Sequence, residues 1–401
     1  MSQTRRALLV GAALVLGGAS LARAQEGFLA IWGSGPNDVW AVGGGRAALH
    51  FDGRAWAELP YGVPVSGGFT AVWGSGPNSV FVGGESGTIL HWNGQAWSRM
   101  AVPTDRAIVA LAGRSAADVY ALAQSYSDTE APTLLHWNGR AWTPTPLPLP
   151  FRANALALSG TGVLVAGWVM NDPTPGERRT YGVLARRVAA RWVLTGGNGR
   201  AVTDRVVAGA GWSAVGVSGT AVLLAGERDD GERSLAISRG AAFTPLPAVP
   251  ASGGQLSSAF LASDGVPVAF LSGVGLARYT GRGWGVASPG SETGAQQMQQ
   301  LGMDPTAQGQ MAVALRYAAW GDIGNTRAAW GSSGDFYAVT EGGRVIRVQG
   351  SDARIAYDAS CANPQMAMMN PICQALQQTG AGQPQAPRTA LPMPSIRVKR
   401  P

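Results

Sequence analysis

Two stretches of this sequence repeat each other at a fixed spacing. Residues 31–56 are IWGSGPNDVWAVGGGRAALHFDGRAW, and residues 72–97 are VWGSGPNSVFVGGESGTILHWNGQAW. Trp32 and Trp73 are 41 residues apart, and so are Trp56 and Trp97. A period of about 40 to 50 residues is typical of repeat architectures, among them the blades of a β-propeller. The period therefore predicts a fold built from equivalent structural units.

Each repeat contains four short apolar runs separated by turn residues. In the second repeat the runs are residues 69–73, 80–82, 88–92 and 96–100. The last two runs are separated by Asn93-Gly94, and the first and third repeats have Asp52-Gly53 and Asn138-Gly139 at this position. Such pairs tolerate positive φ and are the strongest short signal for a β-hairpin. Four antiparallel strands per repeat correspond to one propeller blade.

The repeat can be followed through seven copies, which predict an all-β fold, a seven-bladed β-propeller of four-stranded antiparallel blades, over residues 27–358. A small residue marks the first run of every copy: Ala30, Ala71, Ala110, Ala157, Ala214, Ala259 and Ala328. Small side chains fit an innermost strand, because blades converge at the axis. The longest connection, residues 288–326, includes a predicted short helix at 292–301 and is where a further degenerate blade could be hidden.

Residues 1–24 are predicted to be an export signal peptide. Arg5 and Arg6 precede a short apolar run, and Ala22-Arg23-Ala24 forms a cleavage site of the small-x-small type. The arginine pair fits the twin-arginine route as well as the general secretory route. The apolar run is too short for a membrane span. We therefore expect a periplasmic or extracellular mature chain without an integral membrane span.

The chain contains two cysteines, Cys361 and Cys373. In an exported protein two cysteines 12 residues apart are predicted to form a disulfide. The composition changes at the end of the last blade, so residues 359–401 are predicted to be a disulfide-stapled loop followed by a disordered tail rich in proline and glutamine.

The motif WGSGPNDVWAVG, followed by LHFDG and a tryptophan, resembles the repeats of secreted bacterial β-propellers loosely grouped with BNR-like and photosystem II assembly factor-like proteins. The resemblance is strong over residues 31–142, fades in the middle and returns at Trp330. It implies a propeller of about seven blades and little about the ligand. The sialidase Asp-box is not matched, because Asp52 lies one position too close to Trp56. Glycosidase chemistry is therefore not implied.

All three histidines, His50, His91 and His136, occupy one repeat position. Successive blades of a seven-bladed ring are rotated by roughly 51° about the axis, whereas metal ligands must converge on one point. We therefore predict structural histidines, each bonded within its own blade, and no metal site. The sequence offers no catalytic triad, no phosphate-binding loop and no other cofactor motif. The net charge of +7 is spread without a basic run, which argues against a nucleic-acid partner.

Five tryptophans follow the last hairpin turn of their repeats: Trp56, Trp97, Trp142, Trp192 and Trp284. Repetition at one position predicts packing between blades, although exposed tryptophans could also stack on sugars. Trp168 and Trp320 lie outside this register and are therefore candidates for ligand binding.

The turn between the second and third strands is longer in three consecutive blades, over residues 125–132, 171–182 and 227–234. Because strands alternate in direction, these segments emerge on one face, here called the insertion face; the opposite face is called the turn face. Loops on a rigid scaffold often carry binding sites, although neutral loop growth would give the same pattern. The candidate ligand-binding residues are Tyr126, Asp128, Glu130, Asp172, Arg178, Arg179, Tyr181, Arg228, Asp229, Asp230 and Arg233.

These features favour an exported, non-enzymatic scaffold that binds a protein or a cell-envelope component. One alternative is a propeller that binds or hydrolyses glycans, and a hydrolase would need two carboxylates roughly 5 to 10 Å apart in one pocket. A third hypothesis, implied by the resemblance alone, is an assembly factor for a membrane complex.

Overall fold

A computed structural model of the chain describes residues 27–45, 48–125, 130–148, 150–160, 162–174, 177–188, 191–196, 210–228, 233–239, 243–250, 256–272, 275–287, 318–362 and 364–379. The predicted signal peptide, the predicted helix at 292–301 and the chain beyond residue 379 lie outside these ranges. Within them, no helix is both long enough and apolar enough to cross a lipid bilayer.

Seven four-stranded antiparallel sheets follow one another along the chain, and each takes its strands from one continuous segment. Blades 1 to 3 are β1 to β12: Phe28–Gly35, Asp38–Gly43, Ala48–Phe51 and Trp56–Glu58; Phe69–Gly76, Ser79–Gly84, Ile89–Trp92 and Trp97–Arg99; Ala107–Ser115, Asp118–Gln124, Thr133–Trp137 and Trp142–Pro146. Blades 4 and 5 are β13 to β20: Arg152–Ser159, Gly162–Thr174, Glu177–Val188 and Arg191–Gly196; Ala210–Ser218, Ala221–Arg228, Arg233–Ser238 and Thr244–Pro245. Blades 6 and 7 are β21 to β28: Leu256–Leu261, Pro267–Leu271, Gly275–Tyr279 and Trp284–Ala287; Thr326–Gly331, Asp335–Thr340, Arg344–Gln349 and Asp352–Asp358.

The first strands of the blades form a closed inner ring. Each first strand contacts the first strand of the next blade, and β25 of blade 7 contacts β1 of blade 1. The fold is therefore the predicted seven-bladed β-propeller. Because β21 also contacts β25, the first strands of blades 6 and 7 are direct neighbours.

A β-bulge recurs in the first strand of all seven blades. The residue that follows it is Ala30, Ala71, Ala110, Ala155, Ala214, Ser258 or Ala328. The predicted positions are thus wrong in two blades, since Ala157 lies two positions and Ala259 one position beyond the equivalent site. A small residue is found at every corrected position, directly after the bulge in the innermost strand.

The inner strands also fit together by size. In a first strand, the side chain two positions after the bulge residue points towards the next blade. There it contacts the residue that lies three positions after the bulge residue of that next blade. Trp32 lies over Gly74, Trp73 over Gly113 and Trp330 over Gly33. In the weaker repeats the sizes are reversed, as where Gly216 faces Leu261, and the matching register positions pair Ala112 with Leu158 and Ala157 with Val217. The Trp-Gly signature therefore encodes contact between blades.

The repeated outer tryptophans pack between blades, as predicted. Trp97 of blade 2 makes an edge-to-face contact with Trp40 of blade 1, with ring centroids 5.6 Å apart. Trp56 of blade 1 makes a similar contact with Tyr337 of blade 7 at 6.0 Å. Trp142, Trp192 and Trp284 each pack among apolar residues of the preceding blade.

The segment after blade 7, part of which was predicted to be a loop, is mostly helical where the structure describes it, over residues 359–362 and 364–379. A 3-10 turn at Ala359–Ala362 is followed by α1 at Pro364–Met369 and α2 at Pro371–Thr379. The structure contains the predicted Cys361–Cys373 disulfide, with α-carbons 5.3 Å apart. Leu376 of α2 packs between blades 6 and 7 together with the helical segment 318–323. Trp320 of that segment is buried in the same cluster, so the hypothesis that it binds a ligand is wrong.

Candidate functional site

The three histidines make hydrogen bonds within their own blades, as predicted. His50 Nε2 lies 2.6 Å from Asp38 Oδ1, and His136 Nε2 lies 2.8 Å from Asp118 Oδ1. His91 has Ser79 Oγ as its partner instead, at 3.1 Å. Because the ring has no carboxylate beside it, burial alone lowers the pKa of His91 below its usual 6.5.

Each of these histidines also lies against an aromatic ring on the second strand of its blade. The ring centroids of His50 and Trp40 are 4.2 Å apart, and those of His136 and Tyr120 are 4.3 Å apart. In blade 7 an arginine takes the same position, with Arg347 over Tyr337 and bonded to Asp335 at 2.9 and 3.1 Å. In each of these blades a polar residue, an aromatic residue and a histidine or arginine interact with one another, and the four groups do not assemble a shared site.

Two carboxylates share an arginine where blade 7 meets the helical segment 318–323. Arg344 Nε donates to Asp358 Oδ2 at 2.9 Å, and Arg344 also lies 3.7 Å from Asp322 Oδ2. Thr340 Oγ1 donates to the same Asp322 oxygen at 2.6 Å. These bonds connect the helical segment to the ends of β26, β27 and β28. The pair therefore anchors the segment to blade 7.

The turn face is used to tie neighbouring blades together. Arg114 of blade 3 donates to the carbonyl oxygens of Gly160 and Gly162 in blade 4, at 3.1 and 3.2 Å. Arg278 of blade 6 donates in the same way to Ser333 and Gly350 of blade 7, at 2.6 and 2.8 Å. Because these turns accept bonds from the adjacent blade, changes in their length are constrained.

The insertion face carries a long projection on blade 4, here called the arm and comprising residues 169–174 and 177–181. It was predicted as a loop, but the structure shows paired strands: Val169 lies opposite Tyr181, Asn171 opposite Arg179 and Thr174 opposite Glu177. The pairing of β13 with β14 begins at Trp168, and that of β15 with β16 begins at Val183. Six residues beyond this base extend the hairpin by about 20 Å.

The two strands that carry the arm adjoin blade 5. Both of these strands, β14 and β15, contact β17, the first strand of that blade. Trp168 is half-buried at the foot of the arm, opposite both Arg152 and Gly182. It therefore remains a candidate contact residue at a position where two blades and the arm meet.

The structure brings together only some of the predicted site residues. Asp172, Arg178, Arg179 and Tyr181 all lie on the arm. Arg228 ends β18 and Arg233 begins β19, at the corresponding hairpin of blade 5. Glu130 of blade 3 is exposed and forms an ion pair with Arg106 at 2.7 Å. Tyr126, Asp128, Asp229 and Asp230 lie outside the described residues.

The arm residues Val169, Met170 and Thr180 pair as strand and were not among the predicted contact residues. The signal was present, since apolar and β-branched residues continue on both sides of the segment. It was hidden by Pro173 and Pro175-Gly176, which are typical of loops. Proline is compatible with a strand where its nitrogen faces away from the pairing partner, and the register is interrupted between Asn171 and Thr174.

No protein-family model matches the chain, and no curated protein matches it. Solved structures share its fold. YCF48 from Cyanidioschyzon merolae superposes with a TM-score of 0.51 at 13% identity, over 81% of this chain and 96% of that chain. YCF48 bound to D1 peptide superposes with a TM-score of 0.54 at 10% identity, over 81% and 92%.

The extracellular domain of the putative hybrid two-component system BT4673 from B. thetaiotaomicron superposes with a TM-score of 0.51 at 11% identity, over 82% of this chain and 38% of that chain. Identities this low show a common β-propeller architecture and do not carry function from one protein to another.

Proposed function

We propose that the protein is an exported, non-enzymatic scaffold that captures a protein partner or a cell-envelope component on the insertion face of blades 3 to 5. The arm of blade 4 is the principal contact element. The predicted signal peptide and the disulfide between Cys361 and Cys373 support an oxidising compartment outside the cytoplasm.

The observation that carries this proposal is the length of the arm. In the other six blades the second and third strands have 4 to 8 residues, whereas β14 and β15 have 13 and 12. The extra length continues beyond the pairing of β14 with β13, which starts at Trp168, and of β15 with β16, which starts at Val183. A projecting hairpin offers side chains on two faces and backbone groups on two edges, which suits contact with another polypeptide.

The fold neighbours are compatible with a protein partner. One of them, YCF48, forms a complex with D1 peptide, so a propeller of this architecture can hold a peptide. On this chain, arginine and tyrosine occur together on the arm as Arg178, Arg179 and Tyr181, and both residue types are enriched at the energetic centres of protein interfaces.

Removal of the arm tests the proposal. Replacing residues 169–181 by Asn-Gly joins Trp168 to Gly182, which already lie opposite each other at the base, through a turn that favours hairpins. The variant and the wild type are used as bait, with cross-linking, on native envelope extracts, and captured proteins are identified by mass spectrometry. We expect the variant to keep its melting temperature within a few degrees and to lose the partner.

A matched control lengthens a turn of blade 5 on the turn face, with two glycines inserted after Gly219, where an added β-carbon would meet no atom within 4 Å. This control should capture the partner as the wild type does. If the arm-less protein still captures the same partner, the arm is not the contact element, and the channel mouth becomes the leading candidate.

A further inference from the structure

The outer strand of each blade is an edge whose backbone groups can pair with another strand. In the described part of the chain, six of these seven edges are protected. Four of the strands, β4, β8, β20 and β24, have only two to four residues. β12 contains Pro144 and Pro146, and β28 is contacted by α2.

The exception is β16 of blade 4. It has six residues, contains no proline and is the outermost strand of its sheet among the described residues. Val193 in its middle is 53% exposed, and among the large apolar side chains of the described residues only Met368 and Met369 are more exposed. Val193 lies on the face of blade 4 that packs against blade 5. It is exposed because the outer strand of blade 5, β20, is only two residues long and does not cover it.

The charge around this edge has one sign. Arg186 lies directly opposite Val193, and Arg191 lies two residues before it on the same face. Blade 4 carries six arginines against Asp172 and Glu177, a net charge of +4, whereas each of the other blades lies between −1 and +1. Both carboxylates belong to the arm at the opposite end of the blade, and the facing residues 233–250 of blade 5 include none.

We propose that the outer edge of β16 binds an acidic, extended polypeptide segment, which adds to blade 4 as a fifth strand. Backbone hydrogen bonds supply the pairing, as in other strand-addition complexes. Carboxylates on one face of the added strand lie next to Arg191 and about 10 Å across the sheet from Arg186 on β15, a distance that arginine and glutamate side chains can span together. Apolar residues on its other face extend the surface of Trp192. Opposite charge selects this partner and accelerates its association.

A second copy of the chain does not fit the same edge. Antiparallel pairing of two β16 strands would join two blades that each carry a net charge of +4, so repulsion between the copies would oppose it. The arginines thus exclude self-association while admitting an acidic strand.

Fluorescence anisotropy with the full mature protein tests this proposal. The probe is a labelled peptide of about nine residues that alternates glutamate with valine, a length that spans one ordinary strand. Its counterpart has lysine in place of glutamate. We expect binding of the acidic probe only, and an affinity that falls at least severalfold between about 0.05 and about 0.5 M salt. Equal binding of the two peptides, or binding of neither, would overturn the proposal.

Two further probes test strand addition itself. They carry N-methyl groups on alternate residues, in the two possible phases. In a strand that pairs along one edge, only every second N–H group points towards the partner strand. The peptide methylated at those groups should therefore not bind, whereas the peptide methylated at the other groups should bind. Unimpaired binding of both would show that charge alone holds the peptide.

The location is tested with Arg186→Gln/Arg191→Gln, which should weaken binding of the acidic probe by roughly tenfold. The matched control, Arg54→Gln/Arg282→Gln, removes two exposed arginines of blades 1 and 6 and should leave affinity unchanged. Equal losses in the two variants would refute a site at β16. The arm-less variant should bind the probe normally, so failure at β16 and failure of the arm as a capture element are separate outcomes.

Discussion

The indole of Trp32 in blade 1 occupies the space above Gly74 of blade 2, where a β-carbon would lie 2.5 Å from Trp32 Cη2. A side chain at residue 74 cannot enter without moving the ring. The same contact recurs from blade 2 to blade 3 and from blade 7 to blade 1. The tryptophan and the glycine that follows it therefore recur together in the repeat for different reasons. The tryptophan packs against the next blade, and the glycine leaves room for the tryptophan of the preceding blade.

This contact predicts a compensating pair of substitutions. Gly74→Leu should lower the free energy of unfolding by about 2 to 4 kcal/mol through overpacking, and Trp32→Ala should lower it by a similar amount through loss of the ring. In the double variant a small residue of blade 1 faces a large residue of blade 2, as Ala112 of blade 3 faces Leu158 of blade 4. Its loss of stability should therefore be smaller than the sum of the two single losses by about 1 to 3 kcal/mol. Denaturant unfolding measures all three.

Gly76→Leu is the matched control for this cycle, because a β-carbon there meets no atom within 4 Å. It should leave stability nearly unchanged. Strict additivity of the Trp32 and Gly74 substitutions would show that the two residues do not share space.

A second prediction concerns His91. Its pKa is lowered by burial, so the folded protein favours the neutral ring, and its contribution to stability is full above about pH 6.5 and is lost as the pH falls. Ser79→Asp would supply the carboxylate that His50 and His136 have. We expect the pKa of His91 to rise in this variant. The ion pair between the introduced carboxylate and His91 then stabilises the fold fully below about pH 6.5, and this stabilisation is lost as the pH increases through the raised pKa.

The measurement is an NMR titration of the His91 ring in both proteins, with His136 as the internal reference. Unfolding at pH 5 and pH 8 should show opposite trends for the wild type and the variant. A pKa of His91 that stays below 6.5 in the variant would contradict the prediction.

A third prediction concerns acid. The hydrogen bonds from Arg347 lower the pKa of Asp335 below its usual 3.8, against the opposing effect of burial. The resulting stabilisation is present above about pH 3.8 and is lost as the pH falls further. Because Asp335 is partly exposed, we expect its size to be about 1 kcal/mol or less. Asp335→Asn should flatten the stability profile below pH 4, and an unchanged profile would argue against this ion pair.

A fourth prediction concerns the disulfide. Cys361→Ala/Cys373→Ala should lower the free energy of unfolding by about 3 kcal/mol and loosen α2 between blades 6 and 7. The reduced wild type should melt like the variant, whereas the variant should not respond to reductant. Two alkylated thiols in the mature protein, detected by mass spectrometry without reduction, would exclude the pairing.

The blade count could be predicted from the sequence because turns such as Asn93-Gly94 and the Trp-Gly pairs specify local geometry. The position of the bulge in blades 4 and 6 could not be predicted, because several small residues near the bulge fit the repeat equally well. Ala155 and Ala157 are two apart and have the same side-chain direction in a strand. Only pairing with Ala166 identifies Ala155 as the bulge site.

The longest of the three predicted insertions does extend blade 4, but its local structure was predicted wrongly, since it is a paired hairpin and not a loop. Pro173 and Pro175 are typical of a loop, and pairing across a hairpin depends on long-range register that composition does not reveal. Trp320 was misjudged for a related reason. It falls outside the repeat because it belongs to a helical segment that covers blades 6 and 7.

The way the ring closes has a consequence for biogenesis. Every blade uses consecutive strands, so in the described chain no strand is shared between blades 7 and 1. Side chains close this seam: Ile31 and Trp56 pack with Tyr337, whose hydroxyl donates to the carbonyl oxygen of Pro36, 301 residues earlier in the chain, at 3.0 Å. Blade 1 therefore emerges from the ribosome long before its partner exists. Until residue 337 follows, its apolar flank is open to chaperones and to other nascent chains.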